Sequence, residues 1–140
     1  MARFLHTSDW QLGAGMGQIP GDKGALLRAE RLTALERIGT LAAEREVDFI
    51  LAAGDLFDAH TVENEVVTRA MEILGRVTIP IYAIPGNHDF AGAPESVYAR
   101  QRFLDRCPEN FKILVESVPF PVPDSLVTLL PCPLVQRHTV

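Results

Sequence analysis

Phe49-Ile50-Leu51-Ala52-Ala53-Gly54-Asp55-Leu56-Phe57-Asp58 is an apolar run that stops at a glycine and a carboxylate, with a second carboxylate three residues on. A run of this length, bounded by glycine, has the form of a strand buried on both faces, as in a parallel sheet. Gly54 permits a tight turn just past the strand, so Asp55 stands at its carboxyl end. In open α/β sheets that edge is where ligands bind. A carboxylate held there by a rigid strand suits a hard metal ion.

Two other stretches repeat the form. Arg3-Phe4-Leu5-His6-Thr7-Ser8-Asp9-Trp10-Gln11 runs from a short apolar strand into Asp9 and Gln11. Ile79-Pro80-Ile81-Tyr82-Ala83-Ile84-Pro85-Gly86-Asn87-His88-Asp89 ends in Asn87, His88 and Asp89. Between them, apolar residues at helical spacing predict a helix over 25–46, with Leu27, Leu32, Leu35, Ile38 and Leu41 as its buried stripe. A second helix is predicted over 64–76, capped by Asn64, with Val66, Val67, Ala70, Ile73 and Leu74 inward. A third is expected over 94–106. Further strands are expected over 111–115 and 126–130, and 120–124 reads as a turn or extended link. The order β-α-β-α-β-α-β-β implies an α/β fold: a mostly parallel sheet with helices on both faces, joined by right-handed crossovers. If the first three strands are parallel neighbours, their ligand-bearing ends converge on one edge.

The 140 residues suffice for one domain. With 47% hydrophobic and 22% charged residues the composition is that of a globular protein. No apolar run approaches the roughly 20 residues of a membrane span. The first residues lack the apolar core of a signal peptide, so the expected location is the cytoplasm, without membrane association. Cys107 and Cys132 are too few for a disulfide scaffold and are expected as reduced, partly buried thiols. A net charge of −5 argues against a broad basic face for wrapping nucleic acid. It leaves open a phosphate substrate, because bound divalent metals reverse the local sign. The stretch from Leu12 to Gly24, with Gly13, Gly15, Gly17, Gly21 and Gly24, is expected to be a mobile loop. It lacks the lysine and hydroxyl residue of a P-loop and the spacing of a dinucleotide fingerprint.

Asp9, Asp55 and Asn87 all offer oxygen donors. Such ligands favour Mg²⁺ or Mn²⁺, and added imidazoles shift preference toward Mn²⁺, Fe²⁺ or Zn²⁺. Two metals about 3.5–4 Å apart would clamp the oxygens entering and leaving a phosphorus centre. Ser8-Asp9-x-Gln11, Gly54-Asp55-x-x-Asp58 and Gly86-Asn87-His88-Asp89 resemble the first three motifs of the calcineurin-like metallophosphoesterases. His6-Thr7-Ser8-Asp9-Trp10-Gln11-Leu12-Gly13, with Gly54 to Asp58, resembles more narrowly the SbcD-type DNA repair exonucleases. The resemblance covers about residues 3 to 135. It implies a metallophosphoesterase α/β sandwich and two divalent ions, Mn²⁺ foremost. Asp9 would bind the first metal, Asp55 bridge both, and Asn87 bind the second. Gln11 would be a weaker ligand, His88 the catalytic histidine, and Asp58 and Asp89 acceptors that orient ligands or His88. DNA and an SMC-like ATPase are the implied partners, and a homodimer is a further option. His6 is expected to be structural, His60 a solvated loop residue that could meet DNA, and His138 part of a loose tail.

Two departures stand against the resemblance. The family's first motif ends in histidine, where this chain has Gln11, a neutral and poorer donor. The family also draws histidine ligands from later motifs that do not appear before Val140. The chain therefore reads as the N-terminal portion of a longer domain, inactive by itself. Two alternatives to a nuclease remain: a phosphoesterase acting on small molecules or proteins, and a degenerate, non-catalytic binding module.

Overall fold

Four parallel strands form the centre of the molecule: β1 (Phe4–Thr7), β2 (Phe49–Ala53), β3 (Ile81–Ile84) and β4 (Phe111–Ile113), side by side in that order. The structure is a computed structural model and describes residues 1–15, Ile19 and 22–137. The central part of the glycine-rich loop and His138 lie outside the described residues. Helix α1 (Lys23–Glu44) links β1 to β2, α2 (Asn64–Leu74) links β2 to β3, and a 3₁₀ turn (Val97–Ala99) with α3 (Gln101–Arg106) leads into β4.

The register aligns Leu5, Ile50, Ile81 and Phe111 across the sheet, and His6, Leu51, Tyr82 and Lys112 in the next row. Alternate residues face opposite sides. Ile50, Ile81 and Phe111 share one core with Leu35 of α1, Val67 and Leu74 of α2 and Phe103 of α3. The α/β class and the parallel sheet are as expected, but the helices do not lie on both faces. Each crossover steps one strand in the same direction, and crossovers of one hand then place every helix on the same side. The opposite face, with Phe49 and Tyr82, is met by a two-stranded antiparallel ribbon of β5 (Phe120–Pro121) and β6 (Thr128–Leu129). The stretch expected as a plain link therefore pairs, and the last strand lies outside the main sheet.

Smaller differences have local causes. In α1 the buried line runs through Leu35, Gly39 and Ala42, while Leu27 and Leu41 are both 41% exposed. Small residues carry that face because a neighbour comes close: a Cβ on Gly39 would sit 2.6 Å from Val77 Cγ2. Asn64 is the first helical residue of α2, not its cap. Glu63 holds the cap position and makes no side-chain cap hydrogen bond. The third helix is interrupted at Arg100, whose backbone is extended and whose guanidinium donates to the Val62 carbonyl at 2.7 Å. Both cysteines are free thiols. Cys107 is half-buried, which raises its pKa, while Cys132 is exposed. Among the described residues no helix is long and apolar enough to cross a membrane.

Candidate metal centre

Past β1 and β2 the chain does not diverge. The two loops run side by side, joined by hydrogen bonds from Asp9 N–H to Gly54 O (3.1 Å), Gln11 N–H to Asp55 O (2.9 Å) and Leu12 N–H to Leu56 O (2.9 Å). Asp58 N–H returns to Leu12 O at 3.0 Å. This backbone ladder sets Asp9 and Gln11 against the Gly54–Asp55 turn. The loop after β3 closes the group from the other side, where His88 N–H donates to Asp55 Oδ1 at 2.9 Å. The parallel order of β1, β2 and β3 thus brings Asp9, Gln11, Asp55 and Asn87 to one edge.

The backbone here is unusual. Asp9 (φ 55°), Gln11 (φ 45°) and Asp55 (φ 51°) all adopt the left-handed region. Aspartate tolerates it better than most residues, and glutamine has no such allowance. Residues held there cost free energy that the surrounding structure must offset, and they cluster at ligand sites. Part of the restraint comes from α1, where Arg31 donates to the carbonyls of Trp10 (3.2 Å) and Gln11 (3.0 Å). Gly86 is required by proximity. A Cβ on it would fall 2.1 Å from Asp55 Oδ1 and 2.3 Å from Asp55 N.

Asp89 is wholly buried and stitches the two loops together. Its Oδ2 accepts from Leu56 N–H (2.8 Å), Phe57 N–H (3.1 Å) and the Tyr98 hydroxyl, and its Oδ1 from Gly86 N–H (2.7 Å). Burial, and then the adjacent Asp89 charge, push the Tyr98 pKa well above the ordinary tyrosine value. Asp58 reaches His88 through its backbone rather than its carboxylate: His88 Nδ1 lies 2.8 Å from Asp58 O. A carbonyl only accepts, so Nδ1 carries the proton and Nε2 is the nitrogen left for other work.

The donors match a hard cation in kind. Asp9 and Asn87 are exposed, and Asp55 and Gln11 are half-buried. Among the described residues the side chains of Asp9, Gln11 and Asn87 make no hydrogen bond, and Asp55 engages only Oδ1. Their number is small: no three His, Cys, Asp or Glu side chains among the described residues group closely enough to hold a metal. His6 lies away from this edge, exposed on the sheet face opposite the helices. His60 is half-buried rather than a freely solvated loop residue. Among the described residues both its ring nitrogens are shut off from solvent and have no hydrogen-bond partner.

Sequence reasoning assigns no role at this site to Tyr98, Arg31 or Gly86. Gly86 sits inside the Gly-Asn-His-Asp run, which is a usable signal. Tyr98 and Arg31 act from separate elements and leave none.

The profile of the calcineurin-like phosphoesterases matches residues 2–129. The SbcD component of the SbcCD nuclease of Bacillus subtilis (strain 168) is 31% identical over 91 residues, 62% of this chain and 22% of that protein. The DNA double-strand break repair protein Mre11 of Methanosarcina acetivorans is 34% identical over 90 residues, 62% of this chain and 14% of its own. A metallophosphoesterase of B. subtilis, YhaO, itself uncharacterized, is 29% identical over 122 residues, 83% of this chain and 28% of its own. The chain therefore spans less than a third of each of these relatives. With three ligand-bearing strand ends gathered at one edge of a parallel sheet, and the family profile matching nearly end to end, this chain belongs to the calcineurin-like phosphoesterases.

Proposed function

We propose that the chain is the N-terminal part of a metal-dependent phosphodiesterase domain, and that the protein is a cytoplasmic DNA nuclease subunit in double-strand break repair, working with an SMC-like ATPase. The family typically binds two divalent metal ions and hydrolyses phosphoesters. The observation that carries the reading is the hydrogen-bonded convergence of the Asp9, Asp55 and His88 loops. The nuclease assignment is supported by the names of two relatives.

Asp9, Asp55 and Asn87 would hold the ions, Asp55 between them, with Gln11 as a weak further donor. The oxygen-rich set suits Mg²⁺ or Mn²⁺, and the family resemblance puts Mn²⁺ foremost. Bound ions would supply positive charge to a phosphodiester and a nucleophile derived from water. The chain's own residues set the frame. Asp89 holds the two ligand loops together, and Asp58 fixes the His88 ring. His88 presents Nε2 as the group to stabilise phosphate or protonate a leaving oxygen, help worth roughly 10²–10⁴-fold.

A second reading has its own observation. With Gln11 in the place of a histidine and no three strong ligands together, the domain could keep the fold and bind without catalysis. Calorimetric Mn²⁺ titration and hydrolysis of a chromogenic phosphodiester separate the two. We expect weak Mn²⁺ binding by the 140-residue chain, abolished in Asp55→Asn, and hydrolysis in a protein extended past Val140 that chelation removes. Unchanged Mn²⁺ affinity in Asp55→Asn rules Asp55 out as the bridge. A metal-loaded extended protein that cleaves nothing favours the binding module.

A further inference from the structure

Beside the Asp55–His88 hydrogen bond and the Asp89 network, the loops after β2 and β3 meet in two further rungs. Asp58 and His88 form the first, with Nδ1 and the carbonyl oxygen 2.8 Å apart. Two residues further along each loop, His60 and Phe90 form the second, their rings T-shaped with centroids 4.6 Å apart and an interplanar angle of 82°. A histidine that contacts DNA, binds metal or relays protons must present a nitrogen. Both nitrogens of His60 are enclosed, and among the described residues they have no partner. What His60 offers is a flat ring, and its partner is the residue two places after His88.

We infer that His60 is a positioning residue: by packing on Phe90 it locks the two loops at the spacing at which the Asp58 carbonyl holds His88 in its Nδ1–H tautomer. A solvated neutral histidine side chain prefers the proton on Nε2, so the tautomer depends on that carbonyl staying in place. The catalytic consequence rests on the role proposed for His88. The tautomer itself can be read without metal or substrate, so failure of the nuclease reading leaves this inference standing.

The test is nitrogen-15 correlation NMR of the imidazoles in the apo 140-residue chain, with the histidines neutral; there are only four to assign. We expect wild-type His88 to show one protonated Nδ1 and one bare Nε2, with well-separated shifts. His60→Ala and, from the other side of the rung, Phe90→Ala should bring the two shifts toward each other and past them toward the Nε2–H form. His60→Phe keeps a ring and discards the nitrogens, and should retain the wild-type pattern. A folded His60→Ala or Phe90→Ala chain with unchanged His88 shifts would reduce the rung to plain packing and overturn the inference. Loss of the pattern in His60→Phe would overturn it too, by showing that a nitrogen matters. If both alanine variants fail to fold, His60→Leu, which fills the space without a flat ring, takes their place: it should give the same shift, and an unchanged wild-type pattern in it would overturn the inference.

Discussion

Removing the Asp89 carboxylate would leave three backbone amides, those of Leu56, Phe57 and Gly86, and the Tyr98 hydroxyl without their acceptor in a fully buried position. Unmade buried hydrogen bonds cost far more than made ones contribute. Asp89→Ala should therefore lower stability by about 3 kcal/mol or more in urea unfolding, since each buried donor left unsatisfied costs about 1–3 kcal/mol. A loss below about 1 kcal/mol, within the reach of an ordinary surface change, would show that the loops do not depend on it. His60 carries a different signature. Burial lowers its pKa, Asp89 pulls against that shift, and Arg100 adds to it. The unfolded chain thus binds the proton more readily, and stability rises with pH. The contribution is complete above the ordinary histidine pKa of about 6.5. It is lost as pH falls from there through the lowered folded value. His60→Phe should accordingly lose less stability than wild type when urea midpoints are compared from neutral pH into this window. Parallel curves would mean that His60 leaves its site without cost.

Helix α1 is held against the turn after α2 by the absence of a side chain. Replacing a mid-helix glycine by alanine normally stabilises by about 1 kcal/mol. At Gly39 the new methyl meets Val77 Cγ2 at 2.6 Å, so one element must shift. Gly39→Ala should instead destabilise by about 1–3 kcal/mol, the usual cost of overpacking. Val77→Ala in the same chain should recover most of that loss. A double-mutant cycle measures it, and additive effects would show that the two elements do not touch here.

The two faces of the sheet differ in cover. Three helices close one, and a short ribbon only partly closes the other. There an open cavity of about 370 Å³ is walled by His6, Leu51, Tyr82, Leu114 and Leu130. Nearby Phe4 is 51% and Leu130 74% exposed. Apolar surface left in water favours association. Sedimentation velocity of the 140-residue chain should show an apparent mass that rises with concentration. A concentration-independent monomer would mean that the ribbon covers enough.

Much of this arrangement could be read along the chain. Apolar runs ending in Gly54-Asp55 and Gly86-Asn87 mark buried strands whose ends carry ligands, because strand burial and turn chemistry are written in neighbouring residues. Alternation with helices of crossover length then implies a parallel sheet, and Asp9, Asp55 and Asn87 follow to one edge. Other features depend on groups distant in sequence. Whether the helices take one face or two depends on the direction of each crossover, which no local pattern encodes. The inward line of α1 follows Gly39 because Val77 approaches it, so the large leucines at 27 and 41 are misleading. Asp58 serves through a carbonyl rather than its carboxylate, His60 through its ring rather than its nitrogens. Tyr98 joins the site only because Asp89 is buried beside it. Sequence names the side chains present, and packing selects which atom of each meets a partner.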